Sequence, residues 1–184
     1  VIATRQQRRW LNLAGLAIAA GLMGYALYAE HVQGLEPCPL CIFQRIAMIA
    51  VGFVFLIALL HAPRGPGARA YAALGVLMAG VGAGIAGWHV YLQNLPPGAA
   101  PPDCGASLDY LFDVFGPLET IRMVLASSGE CTDIDWVFLG LSMPAWVLIW
   151  FVLLGGLAVA ANWTRVGGSG FVGAASAATI KDRG

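Results

Sequence analysis

The chemistry available to this chain is concentrated in four cysteines, Cys38, Cys41, Cys104 and Cys131. Cys38-Pro39-Leu40-Cys41 is a C-x-x-C pair at the head of a long apolar run. A disulfide between such near neighbours closes a very small ring, often strained and easily reduced. If the run is helical, the partial positive charge at its N-terminus lowers a thiol pKa there and leaves one sulfur available as thiolate. Pro39 suits a first helical turn, where its missing N–H costs nothing. Cys104 and Cys131 bracket 26 residues, and the stretch from Gly98 to Pro102 before Cys104 is rich in Pro and Gly. That composition predicts a mobile, exposed loop on which Cys104 is open to attack by another protein's thiolate. A zinc knuckle of all four cysteines is the alternative. It lacks a second tightly spaced ligand pair and a soluble mini-domain around it, so no metal is expected. Simple stapling by either pair is a further alternative.

Two dithiols on one side of a membrane form a short relay. A soluble dithiol reduces the exposed pair through a mixed disulfide, and exchange carries the electrons to the C-x-x-C. Regenerating the disulfide then requires an electron sink. The sequence has no haem or flavin motif, which leaves a lipid-soluble quinone reached from the bilayer. Arg45 lies one helical turn past Cys41 and on the same face. It reads equally as an interfacial anchor or as a donor to a quinone carbonyl. His89 reads first as a packed interfacial histidine and second as a source of a proton or hydrogen bond.

The elements that must position these residues follow from composition. Of 184 residues, 59 % are hydrophobic and only 11 % charged, against roughly 25 % charged in soluble domains. This excludes disorder, a basic nucleic-acid-binding face and an ordinary water-soluble enzyme. Apolar runs at about 10–29, 42–61, 70–92 and 138–163 are each long enough to cross a hydrocarbon core of roughly 30 Å. Helices satisfy their own backbone in lipid, and no alternating ten-residue segments suggest a barrel.

Eight of the ten basic residues (Arg5, Arg8, Arg9, Arg64, Arg69, Arg165, Lys181, Arg183) fall on one side of this arrangement, which the positive-inside rule makes cytoplasmic. Both termini then lie inside, and loops 30–41 and 92–137, which hold all four cysteines, lie outside. The basic start followed by an apolar run also fits a secretory signal, but the run is long for one and has no clean cleavage site. Within the second loop, Leu108, Leu111, Phe112 and Phe115 recur at helical spacing opposite Asp109 and Asp113. After Gly116-Pro117 come Leu118, Ile121 and Leu125. This predicts a broken amphipathic helix on the membrane surface.

The expected fold is therefore an all-α membrane protein, a four-transmembrane-helix bundle with a short amphipathic helix in its second outer loop. Its membrane domain covers 1–166, and a flexible Gly/Ala/Ser-rich tail covers 167–184. Gly80 and Gly84 form a GxxxG step expected to admit a neighbouring helix. Pro144 is expected to bend the fourth helix near its outer end. Trp10, Trp88, Trp136 and Trp163 are expected at the membrane interfaces.

Taken together, Cys38-Pro-Leu-Cys41-Ile-Phe-Gln-Arg45, His89 with Gln93 ahead of the Pro-rich Cys104 loop, and Gly129-Glu-Cys131 followed by Trp136-Val-Phe-Leu-Gly-Leu-Ser-Met-Pro-Ala-Trp146 resemble the disulfide bond formation protein B (DsbB) family. The resemblance covers about residues 10–163. It implies a bacterial inner-membrane protein that reoxidises the periplasmic dithiol oxidant DsbA and passes electrons to ubiquinone or menaquinone. By position, it implies that Cys104 forms the mixed disulfide with DsbA and that Cys131 is its partner. Cys38 would exchange with that second pair and Cys41 would contact the quinone. Arg45 would sit beside the quinone ring, with His89 and Gln93 nearby. DsbA is itself strongly oxidising, near −120 mV, so quinone reduction must draw the sequence forward. A protein like vitamin K epoxide reductase is a rival reading, although its C-x-x-C lies near the end of a late span. A non-catalytic disulfide-stabilised scaffold is another.

Overall fold

A computed structural model describes residues 5–35, 37–63, 65–95, 113–119 and 136–163. Four long helices account for most of them: α1 (Arg5–His31), α2 (Pro39–His61), α3 (Pro66–Gln93) and α4 (Met143–Asn162). Each is long and apolar enough to cross a membrane. Even the shortest, α4 at 20 residues, spans about 30 Å at a rise of 1.5 Å per residue. The protein is a four-helix membrane bundle. Its helices form a ring in which α3 packs most extensively on α4, α2 packs on α1 and α3, and α1 closes on α4 with a smaller interface. Side-chain contacts at the two ends alternate the helix directions. Glu30 of α1, Arg45 of α2 and His89 of α3 gather at one end, and Asn12 of α1 meets Asn162 of α4 at the other.

Sequence and packing explain the helix boundaries. α2 starts with Cys38 in an extended N-cap conformation and Pro39 in the first turn, as the spacing predicts. It ends where Ala62 turns left-handed at φ 44° and its N–H bonds to the Ala58 carbonyl. α4 begins later than its apolar run implies. Val137–Phe138 and Leu141–Ser142 form a two-residue antiparallel hairpin instead. Leu139 and Gly140 take φ 52° and 80°, the positive values a tight two-residue turn needs. The continuous apolar composition hides this turn from a hydropathy reading. Pro144 consequently sits in the first turn of α4, where it has no preceding helix to bend, so the expected kink is absent.

Inside lipid, helix association relies on close van der Waals fit rather than on hydrophobic drive. The bundle centre accordingly pairs large rings with missing side chains. Phe55 and Phe151 are fully buried. Phe55 faces Gly15, where an added Cβ would come within 2.6 Å of the ring, and Phe151 fills the space beside Gly82. Gly75 faces Ala158 in the same way, its Cβ position 2.7 Å from that methyl. Gly80 and Gly84 have nothing within 4 Å of a Cβ position. The expected GxxxG contact is therefore replaced by Gly75 and Gly82, seven residues apart on the opposite face. Large side chains such as Leu60, Leu77 and Val152 point outward, as a lipid-facing surface requires.

The α1–α4 contact is polar at its far end. Asn12 and Asn162 are buried and exchange amide hydrogen bonds of 3.3 and 3.0 Å, while Arg8 Nε donates to the Ala161 carbonyl at 3.2 Å. No buried side-chain nitrogen or oxygen among the described residues lacks a partner. Trp10, Trp88 and Trp163 are exposed at helix ends, consistent with interfacial positions. Trp136 differs: it packs edge-on to Tyr25 and forms part of an internal wall. In the second loop, residues 113–119 are helical, with Phe115 and Leu118 exposed. The remainder of the expected amphipathic segment and the tail 167–184 lie outside the described residues.

Candidate functional site

The connection between α1 and α2 sets the C-x-x-C at the bundle end. The extended backbone of Cys38 aims its side chain back over the first turn, and its carbonyl accepts the N–H of Ile42 at 3.2 Å. One turn of helix brings Cys41 round beside it, with the two Sγ atoms 2.9 Å apart. Leu40, between them, is completely buried against Leu92 of α3, which fixes the rotation of this turn.

His89, on α3 and buried, directs Nε2 toward Cys38 Sγ at 3.9 Å. Its Nδ1 lies 3.1 Å from Nε2 of Gln44, also buried. A carboxamide has both a donor and an acceptor end, so this contact serves either imidazole tautomer. With Nδ1 accepting, the Nε2 proton faces Cys38. With the amide turned over, Nδ1–H donates and the Nε2 lone pair faces the sulfurs.

Arg45 lies in the same cavity wall as Cys38 and Cys41. Its guanidinium is ion-paired with Glu30 at the end of α1, and Nη2 donates to the Ala26 carbonyl at 3.4 Å. An arginine at a hydrocarbon border needs such a partner. Gln93 lines the cavity too, and its Oε1 accepts a 2.7 Å hydrogen bond from Ser142, the N-cap of α4. Five of the seven residues expected at the site (Cys38, Cys41, Arg45, His89, Gln93) therefore share one cavity. Cys104 and Cys131 lie outside the described residues.

The cavity has a volume of about 580 Å³ and is lined mainly by apolar and aromatic groups, Tyr25, Met48, Trp136, Trp146 and Trp150 among them. Such a lining, apolar over most of its surface with Cys38, Cys41, Gln44, Arg45 and His89 grouped together, suits a mainly apolar molecule that carries hydrogen-bonding groups. Sequence reasoning missed Gln44, Glu30 and the aromatic wall. A signal for Glu30 was present, because a membrane-edge arginine requires a counter-ion and the α1–α2 connection brings this one near. Gln44 carried no such signal, since its partner lies on α3.

A helical membrane bundle with a dithiol pair at one end of an apolar cavity defines a class of membrane thiol redox proteins. Comparison with known sequences narrows this. The family model of disulfide bond formation protein DsbB matches residues 8–161, and the chain belongs to that family. It is 50 % identical over 141 residues to disulfide bond formation protein B of Xanthomonas campestris pv. campestris strain 8004, covering 76 % of this chain and 81 % of the relative. It is 49 % identical over 160 residues to the Methylococcus capsulatus protein of that name, covering 87 % and 97 %. Identity to the Nitrosococcus oceani protein is 42 % over 162 residues, covering 88 % and 95 %. The chain is thus a multi-pass membrane member of a disulfide-forming family.

Proposed function

We propose that this protein generates disulfides at the outer face of a bacterial inner membrane, taking electrons from a DsbA-like dithiol protein and delivering them to membrane quinone. The observation that carries the reading is the Cys38–Cys41 pair at the polar end of an apolar cavity in a membrane bundle. The sorted basic residues support an orientation with both termini cytoplasmic.

The roles of the chain's own residues follow from thiol–disulfide exchange. A thiolate of the reduced partner attacks Cys104, forming a mixed disulfide and releasing Cys131. The partner's second thiolate resolves it, leaving Cys104 and Cys131 reduced. A thiolate of that pair attacks Cys38, Cys41 is released, and a second attack completes the exchange. Two electrons and two protons then reside on Cys38 and Cys41. Cys41 lies in the first turn of α2, and Arg45, one turn further on, lines the same cavity. His89, held by Gln44, takes or gives the proton at Cys38. A ubiquinone or menaquinone bound in the cavity supplies the two-electron sink that restores the disulfide. Arg45, His89 and Gln93 are the residues that would hold its polar end, while the aromatic wall excludes water.

Mixing purified protein with reduced DsbA and a short-chain quinone, and following quinone absorbance, tests the reading. Wild type should consume quinone in proportion to DsbA thiols. Cys104→Ala should fail to accept from DsbA, and Arg45→Ala should need roughly tenfold or more quinone for half-maximal rate, as expected for loss of a charge-assisted hydrogen bond. Full activity in Cys41→Ala would overturn it.

A further inference from the structure

Three soft donor atoms converge where α2 meets α3: Sγ of Cys38, Sγ of Cys41 and a ring nitrogen of His89, all within 4.8 Å of one another. We propose that the dithiol form of this pair, together with His89, constitutes a zinc site, and that metal occupancy and disulfide are mutually exclusive states of the same two sulfurs.

Distances decide whether the cluster can close on an ion. Tetrahedral zinc with Zn–S near 2.3 Å and Zn–N near 2.0–2.1 Å places its ligand atoms about 3.8 Å (S to S) and about 3.6 Å (S to N) apart. Cys38 Sγ and His89 Nε2 are already 3.9 Å apart. The sulfurs, at 2.9 Å, must part by about 0.9 Å and every ligand pair, none wider than 4.8 Å, must settle near these spacings, movements on the scale of side-chain rotation at two half-buried cysteines. C-x-x-C is also the usual spacing for a zinc-binding thiolate pair.

The surroundings supply what a bound ion needs next. A metal-ligating histidine is normally oriented by a partner on its other ring nitrogen, and Gln44 occupies that place at 3.1 Å. Two thiolates neutralise the ion's double charge, so the complex adds no net charge to a low-dielectric border, and Arg45 keeps its own counter-ion in Glu30. The cavity side leaves a fourth position for water. Binding exchanges two thiol protons for one Zn²⁺ and moves no electrons. The disulfide form has no thiolates to offer, so the site exists only while the pair is reduced. Zinc therefore traps the dithiol and withholds its electrons. The proposal requires only that the pair can be a dithiol, and it stands apart from the quinone reading.

The test uses the full chain in detergent with Cys104→Ser and Cys131→Ser, so that Cys38 and Cys41 are the remaining thiols. The reduced protein is titrated anaerobically with Co²⁺ and then with Zn²⁺. Expected are one ion per chain, thiolate-to-cobalt charge-transfer absorption, the visible bands of tetrahedral cobalt, and bleaching of both by zinc. The same chain with its Cys38–Cys41 disulfide closed should show neither band, a control that needs no further substitution. His89→Ala should weaken binding at least tenfold, and Gln44→Leu by about tenfold, as for loss of an outer-shell partner. Absence of cobalt bands in the reduced protein would overturn the proposal. So would binding unaffected by His89→Ala, or bands that persist in the disulfide form. No quinone enters the measurement, so its outcome is separate from that of the electron-transfer assay.

Discussion

At the scale of single residues, the site depends on how one buried carboxamide and one buried imidazole hold each other. Gln44→Leu keeps the volume but leaves His89 Nδ1 without its 3.1 Å partner, and a buried polar group left unsatisfied costs about 1–3 kcal/mol. The variant should therefore lose thermal stability in detergent. It should also slow thiol-to-quinone electron transfer, because the ring is no longer held with Nε2 toward Cys38 Sγ. Unchanged stability and an unchanged rate in Gln44→Leu would remove the positioning role. Cys38, Cys41 and Arg45 were legible from sequence because their relation is local, set by the 3.6-residue turn. His89 was read from sequence first as a packed interfacial histidine and only second as a proton or hydrogen-bond source, and Gln93 became legible only through the family resemblance. Gln44 was hidden because its partner is 45 residues away and nothing local reveals which faces of two helices will meet, whereas Glu30, 15 residues from Arg45, was signalled only by that arginine's need for a counter-ion.

Between elements, interhelical fit rests on where side chains are missing. Gly82→Val would push a branched side chain into the Phe151 ring, and overpacking of this kind costs about 1–3 kcal/mol or more. Gly84→Ala meets nothing within 4 Å and should be neutral or stabilising by up to about 1 kcal/mol, because alanine loses less backbone entropy in a helix. Unfolding in a denaturing detergent measures both; equal effects would contradict the assigned packing face. The number of spans and their approximate limits were readable from hydropathy. The choice between two glycine faces on α3 was not, because five glycines between 75 and 87 offer several stripes of small residues. Only the positions of Phe151 and Ala158 select one. The hairpin before α4 was lost for a related reason: Val137 to Leu141 is uniformly apolar, and only the left-handed turn at Leu139-Gly140 separates it from the helix.

For the whole molecule, the ring of helices sorts its polar chemistry to one end and a polar fastening to the other. Asn12→Leu alone takes from Asn162 Oδ1 its 3.3 Å donor, and Asn162→Leu takes from Asn12 Oδ1 its 3.0 Å donor, while each amide nitrogen keeps a bond to its own helix backbone. Each single variant should be destabilised, whereas the double variant should recover part of the loss, with a coupling of about 0.6–2 kcal/mol as found for polar pairs in membranes. Additive losses in a double-mutant cycle would show that the two amides act separately. The bundle class was evident from composition alone, while this pairing joins residues 150 apart in sequence and depends on α1 meeting α4. The fastening divides the work along one seam. Two amides clasp α1 to α4 at one end, while side chains of both helices draw apart to line the cavity at the end that carries the sulfurs. The hollow beside the thiols thus owes its room to a clasp placed at the opposite end of the bundle.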